Sequence, residues 1–269
     1  MKGNHMLKRN VLLVAIAFLI VFLSGCAKQL TRDLQGAFPL DYMQDSEICS
    51  QKTPVKIALG KVSNEVELND STYARTKYFV PIPLLFVNFG VSGYSCKLGQ
   101  AAFDSKIENF VREAFEKEAL RSGCFEFVND GSEEYTVDLT VVEQETKGPY
   151  TKYFYMYFAV YVYGYGYGQK AGPGQSLIAL KMDLKDNNGE SFSRQFESQT
   201  STEMLRGKND AKELRRNYVI GMVESVSFAF KDCIENSVFA INQHIGGTEL
   251  NVGRKAPIEQ SGDIEVIEE

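Results

Sequence analysis

Residues 153–168 (YFYMYFAVYVYGYGYG) carry no charge, and their tyrosines recur at every second position: Tyr153, Tyr155, Tyr157, Tyr161, Tyr163, Tyr165 and Tyr167, with Ala159 filling the one gap. Phe154, Met156, Phe158, Val160, Val162, Gly164, Gly166 and Gly168 occupy the positions between. A two-residue period demands extended chain with two unlike faces. Fifteen extended residues reach about 50 Å, whereas an ordinary strand has about five or six residues. Such a segment must bend, pair with something outside its domain, or protrude. Tyrosine suits a boundary, because its ring buries area while its hydroxyl stays wet. Eight of the fourteen tyrosines lie between Tyr150 and Tyr167, which sets this stretch apart from the rest of the chain.

A second uncharged run covers residues 78–89, Tyr78-Phe79-Val80-Pro81-Ile82-Pro83-Leu84-Leu85-Phe86-Val87-Asn88-Phe89. Pro81 and Pro83 exclude a helix or a central strand there. Around the two runs the periodicity is ordinary. Val55, Ile57 and Leu59 alternate with Lys56 and Ala58, predicting a strand over 55–62. Phe103, Ile107, Phe110, Val111, Ala114, Phe115 and Leu120 predict a helix over 101–121, stopped by Gly123. Tyr135, Val137, Leu139 and Val141 predict a strand over 135–142, and two further strands flank Asp186-Asn187-Asn188-Gly189, whose Asn-Gly suits a tight hairpin. From Asp210, Leu214, Tyr218, Met222, Val226, Phe230, Ile234 and Ile241 give a long helix ending at Gly246-Gly247.

The expected fold class is α+β: a mixed sheet of about four strands, two helices packed on one face, and two apolar insertions at one sheet edge. A right-handed crossover makes strands 55–62 and 135–142 parallel, so the two insertions leave neighbouring strand ends. They have three possible fates: folding back as core, docking another envelope protein or the lipid surface, or donating strands to an oligomeric transmembrane barrel. The candidate interaction surface is Tyr78, Phe79, Leu84, Phe86, Tyr153, Tyr155, Tyr157, Tyr161, Tyr163, Tyr165 and Tyr167. Flanking Lys147, Lys152 and Lys170 stand where they could meet anionic head groups.

The amino-terminal residues explain why an envelope is the expected setting. Lys2, Lys8 and Arg9 precede the apolar run Val11–Leu23, which is shorter than the ~20 residues that span a bilayer. It ends in Leu23-Ser24-Gly25-Cys26, which resembles the lipobox of bacterial lipoproteins. That resemblance implies cleavage between Gly25 and Cys26, acylation of Cys26 and, with Ala27-Lys28 following, outer-membrane placement facing the periplasm. Two or three acyl chains make such attachment effectively permanent. The expected organisation is a signal peptide over 1–25, a lipidated tether over 26–54, a periplasmic domain over 55–245 and an acidic flexible tail over 246–269.

Loss of residues 1–25 takes the formal charge from −6 to −9, which excludes nucleic acid as a partner. Four cysteines remain, Cys49, Cys96, Cys124 and Cys233, in a compartment that permits disulfides. Cys49 with Cys96 is the expected pair, since both fall in irregular chain, whereas Cys233 lies in an apolar helical face where a free thiol is the alternative. None of the four has a second cysteine or a histidine within five residues, so no metal site is expected. His244 is the one histidine beyond the signal, no Gly-x-Ser-x-Gly elbow exists, and the glycines of 164–174 lack the Gly-Lys-Ser/Thr of a phosphate loop. Neither an enzyme nor a cofactor is expected.

The lipobox, the strand 55–62, the proline-containing apolar loop, a helix closing in Leu120-Arg121-Ser122-Gly123-Cys124-Phe125, the strand 135–142 and the tyrosine-glycine insertion together resemble a broad group of outer-membrane lipoproteins. Their periplasmic domain is similar to the amino-terminal domain of TolB and to the core of the curli secretion lipoprotein. The resemblance covers roughly residues 55–245. It implies a non-catalytic role, either docking another envelope component or forming one subunit of an export pore.

Overall fold

The computed structural model describes residues 30–43, 53–67, 72–82, 87–159, 162–207 and 210–246. The expected signal peptide, Gly25, Cys26, Cys49, Leu84, Phe86, Tyr161 and most of the expected acidic tail lie outside them. Nine strands form one mixed sheet: β1 (Lys56–Asn64), β2 (Thr72–Ile82), β3 (Val87–Lys97), β4 (Glu126–Phe127), β5 (Tyr135–Ala159), β6 (Val162–Ala171), β7 (Gln175–Asp186), β8 (Ser191–Ser201) and β9 (Leu205–Gly207). Two long helices accompany it, α1 (Ile107–Ser122) and α2 (Ala211–Gly246). The fold is α+β as expected, but the sheet has nine strands where about four were expected. The difference arises because both uncharged runs are themselves sheet strands, and neither is a loop at an edge.

β5 organises the molecule. Its first half lies between β1, which is parallel (Ile57 opposite Tyr135), and β7, which is antiparallel (Leu139 opposite Met182). Its second half lies between β3 and β6, both antiparallel, with Tyr94 and Ala171 opposite Tyr150. The expected parallel pair and the expected hairpin are both present, the latter turning at Gly189 with the Asp186 carboxylate accepting the Asn188 and Glu190 amides at 3.0 and 2.7 Å.

The helices cover the core face. α1 packs on β1, and α2 packs on β7, β8 and α1, with Phe110 edge-on to Phe230 at 5.8 Å. Ile57, Val137, Leu139, Ile178, Leu180, Met182, Phe115 and Phe230 are fully buried between these layers. α1 ends at Gly123, whose φ of 59° is left-handed and free of a Cβ penalty. α2 starts at Asp210, whose carboxylate accepts the Lys212 and Glu213 amides at 2.9 Å and so satisfies two otherwise unpaired donors.

Residues 30–43 are not part of a tether. A helical turn over 30–34 buries Leu30 and Leu34 completely, Phe38 bridges to Phe103, and Tyr42 donates to Glu118 at 2.8 Å. Asp33 pairs with the buried Arg215 at 2.6 Å. The strap is held by scattered contacts, the buried Leu30, Leu34 and Tyr42 and the Asp33–Arg215 pair, too few in a short segment to mark a strand or a long helix, which is why the sequence pattern missed it. Near Tyr42, burial and the Glu118 carboxylate outweigh Lys231, 3.6 Å away, and hold the Glu235 carboxyl above the usual carboxylate range.

The cysteines also differ from expectation. Cys96 lies within β3, fully buried, and is a free thiol, as is Cys233 in α2; the expected Cys49–Cys96 bond is therefore excluded. Cys96 belongs to a strand facing the core, where a thiol acts as a small apolar group. Cys124 is disulfide-bonded, to a partner outside the described residues.

Three outcomes follow from these arrangements. With Cys96 and Cys233 free and Cys26 expected to be acylated, non-reducing peptide mapping should recover Cys49 joined to Cys124; Thr53 already donates to the Cys124 carbonyl at 2.8 Å. Burial pushes both free thiols up to about 12, so the native protein should resist Ellman's reagent at pH 8 and react with two equivalents only when unfolded. For Glu235, a raised folded-state pKa means that protonation favours the fold, so its contribution is lost as pH rises through the carboxylate range towards neutral. Denaturant titrations should show Glu235→Gln more stable than wild type at pH 7, with the gap closing by pH 4; a constant gap would contradict this.

Candidate functional site

The two uncharged runs, some seventy residues apart in sequence, form one structure. β2 and β3 make a hairpin, β5 and β6 make a second, and the two join along β3 and β5. The result is a four-stranded antiparallel arm in the order β2, β3, β5, β6. Its register can be read row by row: Tyr78, Val91, Tyr153 and Gly168; then Phe79, Gly90, Phe154 and Tyr167; then Val80, Phe89, Tyr155 and Gly166. Pro81, Asn88, Met156 and Tyr165 follow, then Ile82, Val87, Tyr157 and Gly164, with Phe158–Tyr163 and Ala159–Val162 at the tip.

Because paired residues share a face, Tyr153, Tyr155 and Tyr157 lie on one side with Tyr78 and the β6 glycines, while Tyr163, Tyr165 and Tyr167 lie on the other with Phe79. The register therefore sets Tyr153, Tyr155 and Tyr157 of β5 each opposite a glycine of β6. At the Gly168 position a Cβ would fall inside the Tyr153 ring, so only glycine lets that ring lie across the strand. Tyr167, on the other face, is 53% exposed. Pro81 is tolerated because β2 is paired on one side only, with β3.

The arm is seated on the domain by buried polar contacts. Tyr150 and Tyr94 are buried with ring centroids 6.0 Å apart, Tyr150 donates to Gln169, and Arg215 bonds both Tyr150 and Asp33. Lys152 lies over the Tyr150 ring at 5.7 Å. This network joins the strap, α2, β5 and β6. Beyond it β6 is flanked by β9 at residues 169–171 only.

Of the candidate surface residues, Tyr78, Phe79, Tyr153, Tyr155, Tyr157, Tyr163, Tyr165 and Tyr167 are thus brought into one sheet, while Leu84, Phe86 and Tyr161 belong to the two connections outside the described residues. Arg75 and Lys77, at the foot of β2, were missed. Their signal was available in composition, since β2, β3, β6 and residues 147–159 hold six Lys or Arg and no Asp or Glu.

Elsewhere the chemistry is sparse. An open groove of about 1000 Å³ between β8 and α2 is lined by Thr200, Thr202, Glu203, Asn217, Glu224 and Phe228. Two of its hydroxyls are committed, Thr200 donating to the Ser225 carbonyl at 2.6 Å and Thr202 accepting the Gly174 amide at 2.8 Å. His244 stacks on Phe192 at 4.3 Å, remote from that groove. Among the described residues no group of three His, Cys, Asp or Glu could hold a metal, and no helix is long and apolar enough to cross a membrane.

No protein-family model and no curated protein matches the chain. Among solved structures it is similar to protein XCC0632 from Xanthomonas campestris, described under DUF330, at 8% identity and a TM-score of 0.44 over 79% of this chain and 99% of that one. It is also similar to the hypothetical protein CT253 from Chlamydia trachomatis, at 9% identity and a TM-score of 0.38 over 73% of this chain and 100% of that one.

Proposed function

We propose that this protein is a non-catalytic lipoprotein of the outer membrane, anchored through Cys26 and facing the periplasm, whose four-stranded arm docks another component of the envelope. The observation that carries the reading is the union of two separate uncharged runs into one sheet with tyrosine on both faces. Aromatic residues of this kind are enriched where proteins meet partners or membrane surfaces. The lipobox at Leu23-Ser24-Gly25-Cys26 and the resemblance to the TolB amino-terminal and curli-secretion domains support the same setting.

A photo-reactive residue at Tyr167 should crosslink an envelope component in living cells, while the same probe at the exposed Glu197 of β8 should not. The triple change Tyr163→Ser, Tyr165→Ser and Tyr167→Ser should abolish that contact, measured with a probe at Phe154, and lower the melting temperature by no more than about 3 °C, the shift that one kcal/mol produces in a domain of this size. A much larger drop would make the arm part of the core and overturn the docking role.

A second reading, a subunit of an oligomeric export pore, is favoured by one specific feature. The outer strands β2 and β6 run antiparallel to each other, and among the described residues β2 and residues 162–168 of β6 have no partner on their outer edges. Copies could therefore join β2 to β6 and keep the whole wall antiparallel, as barrels require. Light scattering of the detergent-extracted, acylated protein should then give a discrete multiple of the chain mass; a monomer would eliminate the pore.

A further inference from the structure

We infer that Arg75, Lys77, Lys152 and Lys170 form a cationic collar that binds the phosphates of anionic phospholipids and sets the uncharged rows of the arm against the acyl region of the bilayer. This rests on the docking reading and names the arm's partner as the membrane itself. In the register, Arg75 stands in the row of Tyr150, Lys170 in the row of Thr151, and Lys77 and Lys152 together in the row beyond. From the Tyr153 row to the tip, no row holds a charge. The change from cations to uncharged aromatics is completed within one residue step, as at the edge of a bilayer, where Lys and Arg meet head groups and Tyr marks the interface.

Three further observations favour lipid as the occupant. A chain with formal charge −6 has gathered cations without a single acid over the whole arm, which complements an anionic surface. Within the arm, Lys97 and Lys147 are already engaged by Glu145 at 3.6 and 2.8 Å, whereas Lys152 and Lys170 make no ion pair among the described residues. Six residue steps separate the Tyr153 row from the Ala159 row, about 20 Å of strand, against an apolar band of about 25 Å in outer-membrane barrels.

The strap places the lipid anchor at the same level. Asp33 reaches the Tyr150 row through Arg215, and Leu30 is buried beside it in the same helical turn. Cys26 precedes Leu30 by four residues, so acyl chains on it start within about 14 Å of that residue. Anchor and collar then address one surface. Each cation close to an anionic surface strengthens binding about fivefold, so four act strongly together while remaining sensitive to salt.

The chain has no tryptophan, which gives a direct test. Tyr167→Trp puts a single indole two rows beyond the Lys152 row, and Phe228→Trp puts one on the exposed side of α2 as a control. The full acylated protein is reconstituted into vesicles of phosphatidylcholine brominated on its acyl chains, with or without 30% phosphatidylglycerol. The expected result is at least twofold quenching of the Tyr167→Trp indole in the anionic vesicles and little for the control. That quenching should fall to the control level without phosphatidylglycerol, in 0.5 M salt, or when Lys77→Gln, Lys152→Gln and Lys170→Gln are added, with the melting temperature unchanged. Equal quenching with and without phosphatidylglycerol would overturn the collar. Absence of quenching with retained crosslinking of a protein from Tyr167 would overturn it too, leaving docking to a protein partner. Loss of both signals would remove the docking reading as well.

Discussion

A β-strand satisfies its backbone only through neighbours on both sides, and β5, at 25 residues, needs two different pairs of them. β1 and β7 supply the first half and β3 and β6 the second, with a register shift near Val141 as the chief irregularity. The arm is for this reason continuous with the central strand of the domain. Its orientation follows from an unbroken ladder of hydrogen bonds, and a force applied at the tyrosine rows is transmitted to the core without passing through a hinge.

The foot of the arm combines that rigidity with a costly polar arrangement. Taking the Arg215 guanidinium out of water is expensive, and pairing with Asp33 at 2.6 Å offsets the cost only because the Tyr150 hydroxyl oxygen accepts a further bond from it. An apolar cluster of the same volume would stabilise the fold at least as well. What the polar version adds is direction: a planar guanidinium and a phenol bond in few geometries, so the strap, α2 and β5 meet in one register. Residues 30–43 in this way fix the segment that follows Cys26 to the base of the arm.

Where a residue pattern repeats against a single buried face, the fold could be read from the chain. The alternation at Ile57 and Leu59, the stop at Gly123 and the turn at Gly189 each reflect one local rule and are found within a few residues of their expected places, while the helix expected over 101–121 begins only at Ile107. The arm was legible as extended chain but not as sheet. Its partners are remote in sequence, and Gly164, Gly166, Pro81 and Gly90 are residues that weaken a strand on local grounds; only their cross-strand partners hold them in the sheet. The strap and the disulfide were missed for a related reason, since isolated long-range contacts such as Asp33 with Arg215 leave no period to detect.

The unpaired edges of β2 and β6 decide how far a single arm can go. At its base, β6 is covered by β9 through Ala171 opposite Leu205, and water can serve the remaining backbone groups near the collar. Deeper in hydrocarbon no water is available, and each unpaired amide or carbonyl costs several kcal/mol. On the proposed lipid reading, an isolated arm is accordingly stable where the collar holds it, with its first tyrosine rows in the interfacial region. Full burial of the rows from Tyr153 to Ala159 requires that both edges find strands, and the antiparallel relation of β2 to β6 means that another copy of the same arm offers the matching edge. In the proposed role, lipid contact and self-association would be successive consequences of one sheet, the first set by its charges and the second by its backbone.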